Sequence, residues 1–325
     1  MDRRSFLKWG AFAALAGELP HSLQAEVKRD VKYKPLDIRD IEINAGLAEP
    51  FFALHVSDSH LVLADSRDNE RKTALAAGRL KHFPFAEHYL DELMHYAAVH
   101  EMPLLHTGDM IDFVSESNLD HAAAAFKGAD WTVCAGNHEY SQYVGEALED
   151  AAYRQASYDR VQEAFPNDLT VFSRDIGGVR FVCFDNGYYR VTAAQVAQIK
   201  DCFTDGHPVV LLCHVPFYTP RHYAYAMEKT KGVCAYLCAV PDALTATFDT
   251  KAVYPEDQWW RRRSVQQKAD AVTLGFADWL KEQPQLKGIL CGHCHYFYAE
   301  RFSPTAMQYT VGAGYNGCAN RVHFV

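Results

Sequence analysis

The chain lacks any apolar run long enough to cross a bilayer, and it has no low-complexity tract, no long block of like charge and no internal repeat. A spanning helix needs about 20 consecutive apolar residues, so no stable transmembrane helix is expected. The missing repeat removes solenoids and propellers. Basic charge is also scarce: 32 Lys and Arg stand against 41 Asp and Glu, a formal net charge of −9. Phosphate backbones reward broad basic surfaces, so this balance counts against a general nucleic-acid binder and lowers, without removing, a nuclease reading. Nine cysteines are present, yet they form no spaced framework, and the odd count leaves at least one thiol free. Cys134, Cys213 and Cys291 close apolar runs, where a small buried hydrophobe fits. Cys234 and Cys238, four apart in an Ala-rich and potentially helical stretch, are the one pair that suggests a disulfide.

What the chain does have is five short polar segments: Asp58-Ser59-His60, Gly108-Asp109-Met110-Ile111-Asp112, Gly136-Asn137-His138-Glu139, His214, and Gly292-His293-Cys294-His295. Each follows an apolar run of strand-like length, Phe51 to Val56, Pro103 to His106, Trp131 to Ala135, Pro208 to Cys213 and Leu286 to Cys291. Polar groups just past the carboxyl ends of successive strands converge on one crevice. The residue types suit a pair of divalent ions, which needs a bridging carboxylate together with neutral imidazoles and oxygen donors. Asp109 is the candidate bridge, with Asp58, His60, Asn137, His214, His293 and His295 as the other candidates. No cysteine is required, and the N/O set suits Mn, Fe, Zn or Co without choosing among these transition metals. Single histidines elsewhere, such as His55, His82, His106 and His207, read as core or surface residues.

In order and wording these segments resemble the calcineurin-like metallophosphoesterase superfamily, over roughly residues 50 to 325. The resemblance implies a four-layer αββα sandwich of the α/β class: two stacked mixed β-sheets flanked by helices, with a binuclear metal site at the carboxyl ends of the strands. It also implies that Asp58, His60 and His295 hold the first metal, that Asn137, His214 and His293 hold the second, and that Asp109 bridges them. His138 would then be the catalytic residue, protonating the leaving oxygen or stabilising the phosphoryl group, while Asp112 and Glu139 would orient imidazoles. The activity implied is hydrolysis of a small organic phosphate mono- or diester by a metal-bound hydroxide. Its rivals are a pyrophosphatase acting on a nucleotide or lipid diphosphate, and a non-catalytic metal-stabilised binding protein. One departure is informative: where the purple acid phosphatase branch carries a tyrosine ligand, three residues after the bridge, this chain has Asp112.

The N-terminus, Asp2-Arg3-Arg4-Ser5-Phe6-Leu7-Lys8 followed by a mildly apolar Ala/Gly-rich run to Leu19, resembles a bacterial twin-arginine export signal. Residues 1–25 are therefore expected to be a signal peptide read by the twin-arginine export machinery. The protein would then be periplasmic or otherwise exported, and Leu23-Gln24-Ala25 fits a cleavage site loosely enough that an uncleaved tether is the alternative. Residues 26–50 read as a leader that wraps the surface or adds an edge strand, and 51–325 as the phosphoesterase domain.

Helical spacing predicts a helix over Phe85 to His100, and Ser141 reads as the cap of another reaching Phe165. Gly177-Gly178 predicts a hairpin within Leu169 to Asp185, Thr192 a helix cap, and Tyr296 to Val325 a set of closing antiparallel strands. Residues of about 217–275 form a locally basic, aromatic insert: eight Lys and Arg against six Asp and Glu give it +2 in a chain of −9. This insert is expected to cap the site, with Arg221, Trp259, Trp260 and Arg261 meeting a small-molecule phosphoester substrate.

Overall fold

The computed structural model describes residues 33–146, 149–248 and 266–325. The N-terminal arginine pair and Trp259, Trp260 and Arg261 lie outside the described residues. The architecture below is that of the compact unit Leu36–Val325.

Eleven strands are found among the described residues: β1 Asp37–Ile43, β2 Phe51–Val56, β3 Leu104–His106, β4 Trp131–Val133, β5 Val171–Ile176, β6 Val179–Phe184, β7 Val209–Leu212, β8 Leu286–Cys291, β9 Tyr298–Arg301, β10 Met307–Thr310 and β11 Cys318–Phe324. They build a five-stranded sheet in the order β1-β11-β2-β3-β4 and a six-stranded sheet in the order β5-β6-β7-β8-β10-β9. The two sheets face one another across a shared apolar layer that includes Ala53, Leu105, Phe181, Val210, Leu212, Leu290, Val322 and Phe324. Alternation along the strands sends their neighbours outward: Leu54 and Val56 of β2 join helical residues in one core, and Val209 and Leu211 of β7 join others in a second.

α1 Glu70–Arg79 packs in a small satellite cluster, and α2 Ala86–Val99, α3 Glu116–Gly128 and α4 Ala151–Ala164 line the core outside the first sheet; α5 Ala193–Asp201 lines the core outside the second, α6 Pro220–Lys229 and the short α7 Asp242–Thr245 share another small cluster, and α8 Ala271–Lys281 rejoins the second core. Helices outside two stacked mixed sheets are the four-layer sandwich that the sequence implies. Local chemistry starts most of these helices. Asn69, Ser115, Asp150 and Asp270 each accept a hydrogen bond from a backbone amide of the first turn, and Thr192 with Gln195 completes a capping box. Ser141 does not cap α4. A short 3-10 turn, His138–Tyr140, precedes it, and α4 begins ten residues later behind Asp150. The tight turn keeps His138 and Glu139 at the strand end, where a long helix would carry them away.

The remaining expectations divide. The hairpin forms as an antiparallel β5–β6 pair turning at Gly177-Gly178, and part of the leader becomes β1, an edge strand parallel to β11. Only β9 and β10 of the C-terminal strands pair antiparallel with each other; β10 runs parallel to β8, and β11 crosses to the first sheet, antiparallel to β2. The Cys234–Cys238 stretch is an irregular segment, not a helix, and all nine thiols are free. No helix among the described residues is long and apolar enough to cross a membrane.

Candidate metal centre

The five polar segments leave the carboxyl ends of β2, β3, β4, β7 and β8 and meet at one end of the sandwich. Backbone hydrogen bonds lace the loops together: Asp58 N donates to Gly108 O at 2.9 Å, His60 N to Asp109 O at 2.9 Å, and Gly292 N to His214 O at 3.0 Å. Lacing loops this tightly forces unusual backbone. Of the ten non-glycine residues with positive φ among the described residues, five are Asp58, His60, Asp109, His293 and His295. Such conformations cost of order 1–3 kcal/mol each and persist where surrounding structure over-determines them.

Gly292 shows how close the loops lie. A Cβ there would collide with Ser57 Oγ and come within 2.6 Å of Asp58 Oδ2. Gly292→Ala is therefore expected to displace the Ser57–Asp58 turn at a cost of about 1–3 kcal/mol, the usual penalty of overpacking. A thermal melt unchanged from wild type would refute that packing.

Two clusters of ligating atoms result. In the first, His295 Nε2 lies 3.1 Å from Asp58 Oδ1 and 3.2 Å from His60 Nε2. In the second, His214 Nε2 lies 3.2 Å from Asp109 Oδ2 and 3.1 Å from His293 Nδ1. Asp109 Oδ2 is also 3.6 Å from His60 Nε2, so one carboxylate oxygen faces both clusters. Asn137 is buried and its Oδ1 has no hydrogen-bond partner among the described residues. A buried acceptor left in that condition is rare and calls for an explanation, an ion being one.

The imidazoles are oriented from behind. His60 Nδ1 is 3.0 Å from Asp112 Oδ1 and His214 Nδ1 is 2.7 Å from Thr107 O; both partners only accept, so each ring donates there and turns an Nε2 lone pair inward. His214 then points a lone pair at the Asp109 carboxylate and at a second imidazole. Such an array requires positive charge within it, from a proton or from a metal cation. Burial opposes a proton on His214, but the Asp109 carboxylate outweighs it and raises the pKa to about 10. His138 behaves alike: burial disfavours its charge, Asp109 and Asp112 overcome that, and its pKa rises to about 10. Buried Asp109 and Asp112 are in turn held well below the ordinary carboxylate range against the cost of their burial, chiefly by His214 and His138 respectively. A donor set of carboxylate, imidazole and amide oxygen already polarised in this manner suits divalent cations.

His138 Nδ1 lies 2.7 Å from Asp112 O and 3.2 Å from Asp112 Oδ1, which leaves Nε2 for the cavity. Together with His60 and Asp109, His138 also forms a third group whose atoms are close enough to hold an ion. Asp112 supports both His60 and His138. Glu139 differs from the expectation: it accepts from the backbone amides of Asp109 at 2.9 Å, Met110 and Gly136 at 2.6 Å and Ile111 at 3.4 Å, and has no imidazole partner among the described residues. It shapes the Asp109 loop. His55 and His106 are buried core residues whose pKa values fall to about 3, mainly through burial, with hydrogen bonds to Thr107 Oγ1 and Ser59 Oγ.

A cavity of about 360 Å³ opens over the centre, walled opposite Asp109, Asn137 and His138 by Lys229, Tyr236 and Tyr296. Lys229 and Tyr236 belong to the 217–275 insert, so its described part does reach the site. Arg221 is not part of this wall; it is exposed and sits near Tyr298, because α6 turns its Lys229 end toward the cavity. The N-terminus of α6 is fastened by Glu300 of β9, which accepts from His222 N at 2.8 Å and from Thr219 Oγ1.

Sequence reasoning missed Arg79, which grips Asp112 through two bonds of 2.6 and 2.7 Å and extends the support of His60 and His138 to the end of α1. No local pattern marks it. It also missed Tyr315, whose hydroxyl lies 3.2 Å from His295 Nδ1, and Tyr189, whose hydroxyl lies 2.8 Å from His293 Nε2. For Tyr189 a signal existed: β6 is followed by Asp185-Asn186-Gly187, the same passage from apolar run to polar turn seen in the five segments.

Residues 53–297 match the family model for calcineurin-like phosphoesterases. No curated protein matches the chain. Among solved structures it is similar to a dimetal phosphatase from Danio rerio, at 13% identity over 82% of this chain and 88% of that one with a TM-score of 0.44. It is also similar to a 5'-nucleotidase from Candida albicans, at 12% identity, 86% and 48% coverage and a TM-score of 0.40. A third likeness is to the phosphopantetheinyl hydrolase of Mycobacterium tuberculosis, at 10% identity, 81% and 90% coverage and a TM-score of 0.36.

Proposed function

Because the chain belongs to the calcineurin-like phosphoesterase family, and is thus a metal-dependent hydrolase of phosphoester bonds, we propose that it cleaves a small organic phosphate mono- or diester. In this reading Asp58, His60 and His295 hold one divalent transition metal, Asn137, His214 and His293 hold the other, and Asp109 serves both. The observation that carries it is the Asp109 Oδ2 atom, approached by His60 Nε2 at 3.6 Å and His214 Nε2 at 3.2 Å from opposite clusters. Two divalent ions supply, when bound, a water acidic enough to ionise at neutral pH and positive charge against the phosphoryl oxygens.

The chain's own residues do the rest. His138, anchored at Nδ1 by Asp112, carries a proton at Nε2 toward the leaving oxygen; the charge of bound divalent ions would oppose the Asp109 and Asp112 carboxylates that raise its pKa. Asp112, held by Arg79, keeps His138 and His60 in place, and Glu139 keeps the Asp109 loop in its left-handed turn. Lys229 and Tyr236 meet the organic part of the substrate, in a cavity at the small end of the range for small-molecule sites. The test is a metal-reconstituted assay across phosphomonoesters, diesters and pyrophosphates. Turnover of a small organic ester, abolished by chelation and restored by metal, is the expected result. Failure to turn over any organic phosphoester with two ions bound would reject the reading.

We further propose export. The basis is the Arg3-Arg4 pair followed by a short apolar run, which also divides the chain into a signal of 1–25, a leader and the catalytic domain. Replacing Arg3 and Arg4 together by Lys keeps the charge but removes what the export receptor reads. The variant is expected to accumulate folded in the cytoplasm, and an unchanged periplasmic yield would refute the signal.

A further inference from the structure

One loop outside the five segments bonds to or packs against each of the three segments that carry Asn137, His214 and His293. Asp185–Tyr189 follows β6 and reaches the same end of the sandwich as the others. Gly187 lies against the turn that carries Asn137: a Cβ on it would stand 2.7 Å from Gly136 C and 2.8 Å from Asn137 N. Asn186 makes a two-way bridge to the residue after His214, donating through Nδ2 to Val215 O at 2.7 Å and accepting from Val215 N at 2.9 Å. Tyr189 sets its hydroxyl 2.8 Å from His293 Nε2, on the side of the ring away from His214.

The loop is itself well braced. Asp185 accepts from Gly187 N at 2.9 Å and pairs with Arg154 of α4 at 2.7 Å, and Tyr189 N donates to Asn186 O at 2.8 Å. Tyr189 has a φ of 65°, a conformation a tyrosine seldom adopts. It shares this with the five candidate ligands of strained backbone, and the same reasoning applies: the strain persists because the contacts around it outweigh it.

We propose that Asp185–Tyr189 is a positioning loop for one half of the centre, the half made by Asn137, His214 and His293, with Tyr189 fixing the His293 ring. The inference rests on the two-metal reading above. His293 donates from Nε2 to the phenol oxygen, which fixes its tautomer and leaves the Nδ1 lone pair facing His214 Nε2. The other half has a separate support, Tyr315 on His295 Nδ1 at 3.2 Å. Each tyrosine therefore serves one ion.

The experiment is equilibrium titration of the full chain with Mn²⁺, which is expected to give two binding steps in wild type. Tyr189→Phe deletes only the hydroxyl. It should weaken one Mn²⁺ step by roughly 10- to 100-fold, the usual effect of losing a group that orients a ligand, and leave the other within about twofold. In a His295→Ala background the weakening should persist, and in a His293→Ala background it should vanish. Tyr315→Phe should show the reverse dependence. Thermal melts of the metal-free proteins check that Tyr189→Phe is folded; if it is not, Asn186→Ala, which removes the bridge to Val215, carries the same test. Unchanged Mn²⁺ affinity in the folded variant, or equal weakening of both steps, would overturn the inference. Wild-type protein that binds fewer than two Mn²⁺ or hydrolyses no phosphoester would instead overturn the functional reading, so the two failures are distinguishable.

Discussion

Asp109→Ala is expected to lose more bound metal than any other single substitution in the centre and to lower kcat/KM by more than about 10³-fold, the upper range for removing one charge-stabilising group from an active site. The reason is geometric. Asp109 Oδ2 faces His60 Nε2 and His214 Nε2 together, while Asp58, His293 and His295 each belong to a single cluster. Its other oxygen, Oδ1, accepts from His138 N at 2.9 Å, so the substitution also frees the start of the turn that carries the proposed acid. Loss of a terminal residue such as His295 should leave one ion in place; loss of Asp109 should leave two weak, independent sites. Metal analysis after gel filtration, with kcat/KM measured at saturating metal, separates these outcomes. Full retention of both ions in Asp109→Ala would remove Asp109 from its bridging position.

His138→Ala should behave in the opposite manner, keeping both ions while kcat falls by roughly 10² to 10⁴ on an alkyl ester, the range for a positioned general acid. His138 shares a possible ligand group with His60 and Asp109, so retention of metal is a demanding part of this prediction. It follows from the other histidines. His60, His214, His293 and His295 each have one ring nitrogen held by a partner and the other facing a neighbour in the centre, so the two clusters are furnished without His138. The decisive observable is leaving-group dependence. An activated aryl ester needs little protonation and should lose far less rate than an alkyl ester. Equal losses on both would mean that His138 stabilises phosphoryl charge without transferring a proton, and loss of an ion would make it a ligand.

The candidate ligands could be located from the chain because they arrive in short strings, each placed by the strand before it. Asp58 and His60 follow β2, Asp109 follows β3, and Asn137 with His138 follows β4, so an apolar run and the polar turn after it predict both residue type and location. The same local logic found the helix of residues 86–99, the β5–β6 hairpin and the Thr192 cap, each governed by side chains within a few positions. It failed at Ser141, where a cap residue was present but the chain was held in a 3-10 turn and further turns before α4 began.

What only the tertiary structure decided is the support behind the ligands and the wall before them. Arg79 meets Asp112 across 33 residues, Tyr315 meets His295 across 20, and Tyr189 meets His293 across 104. Glu139 turned from the imidazoles to four backbone amides, and Arg221 gave way to Lys229 at the cavity because of the direction in which α6 runs. Hydrogen bonds between distant loops have no periodicity and no fixed spacing, so no string of residues announces them. The sequence alone marked the candidate ligands and where along the chain they occur; the stacking of the two sheets determined which residues brace them and which line the cavity.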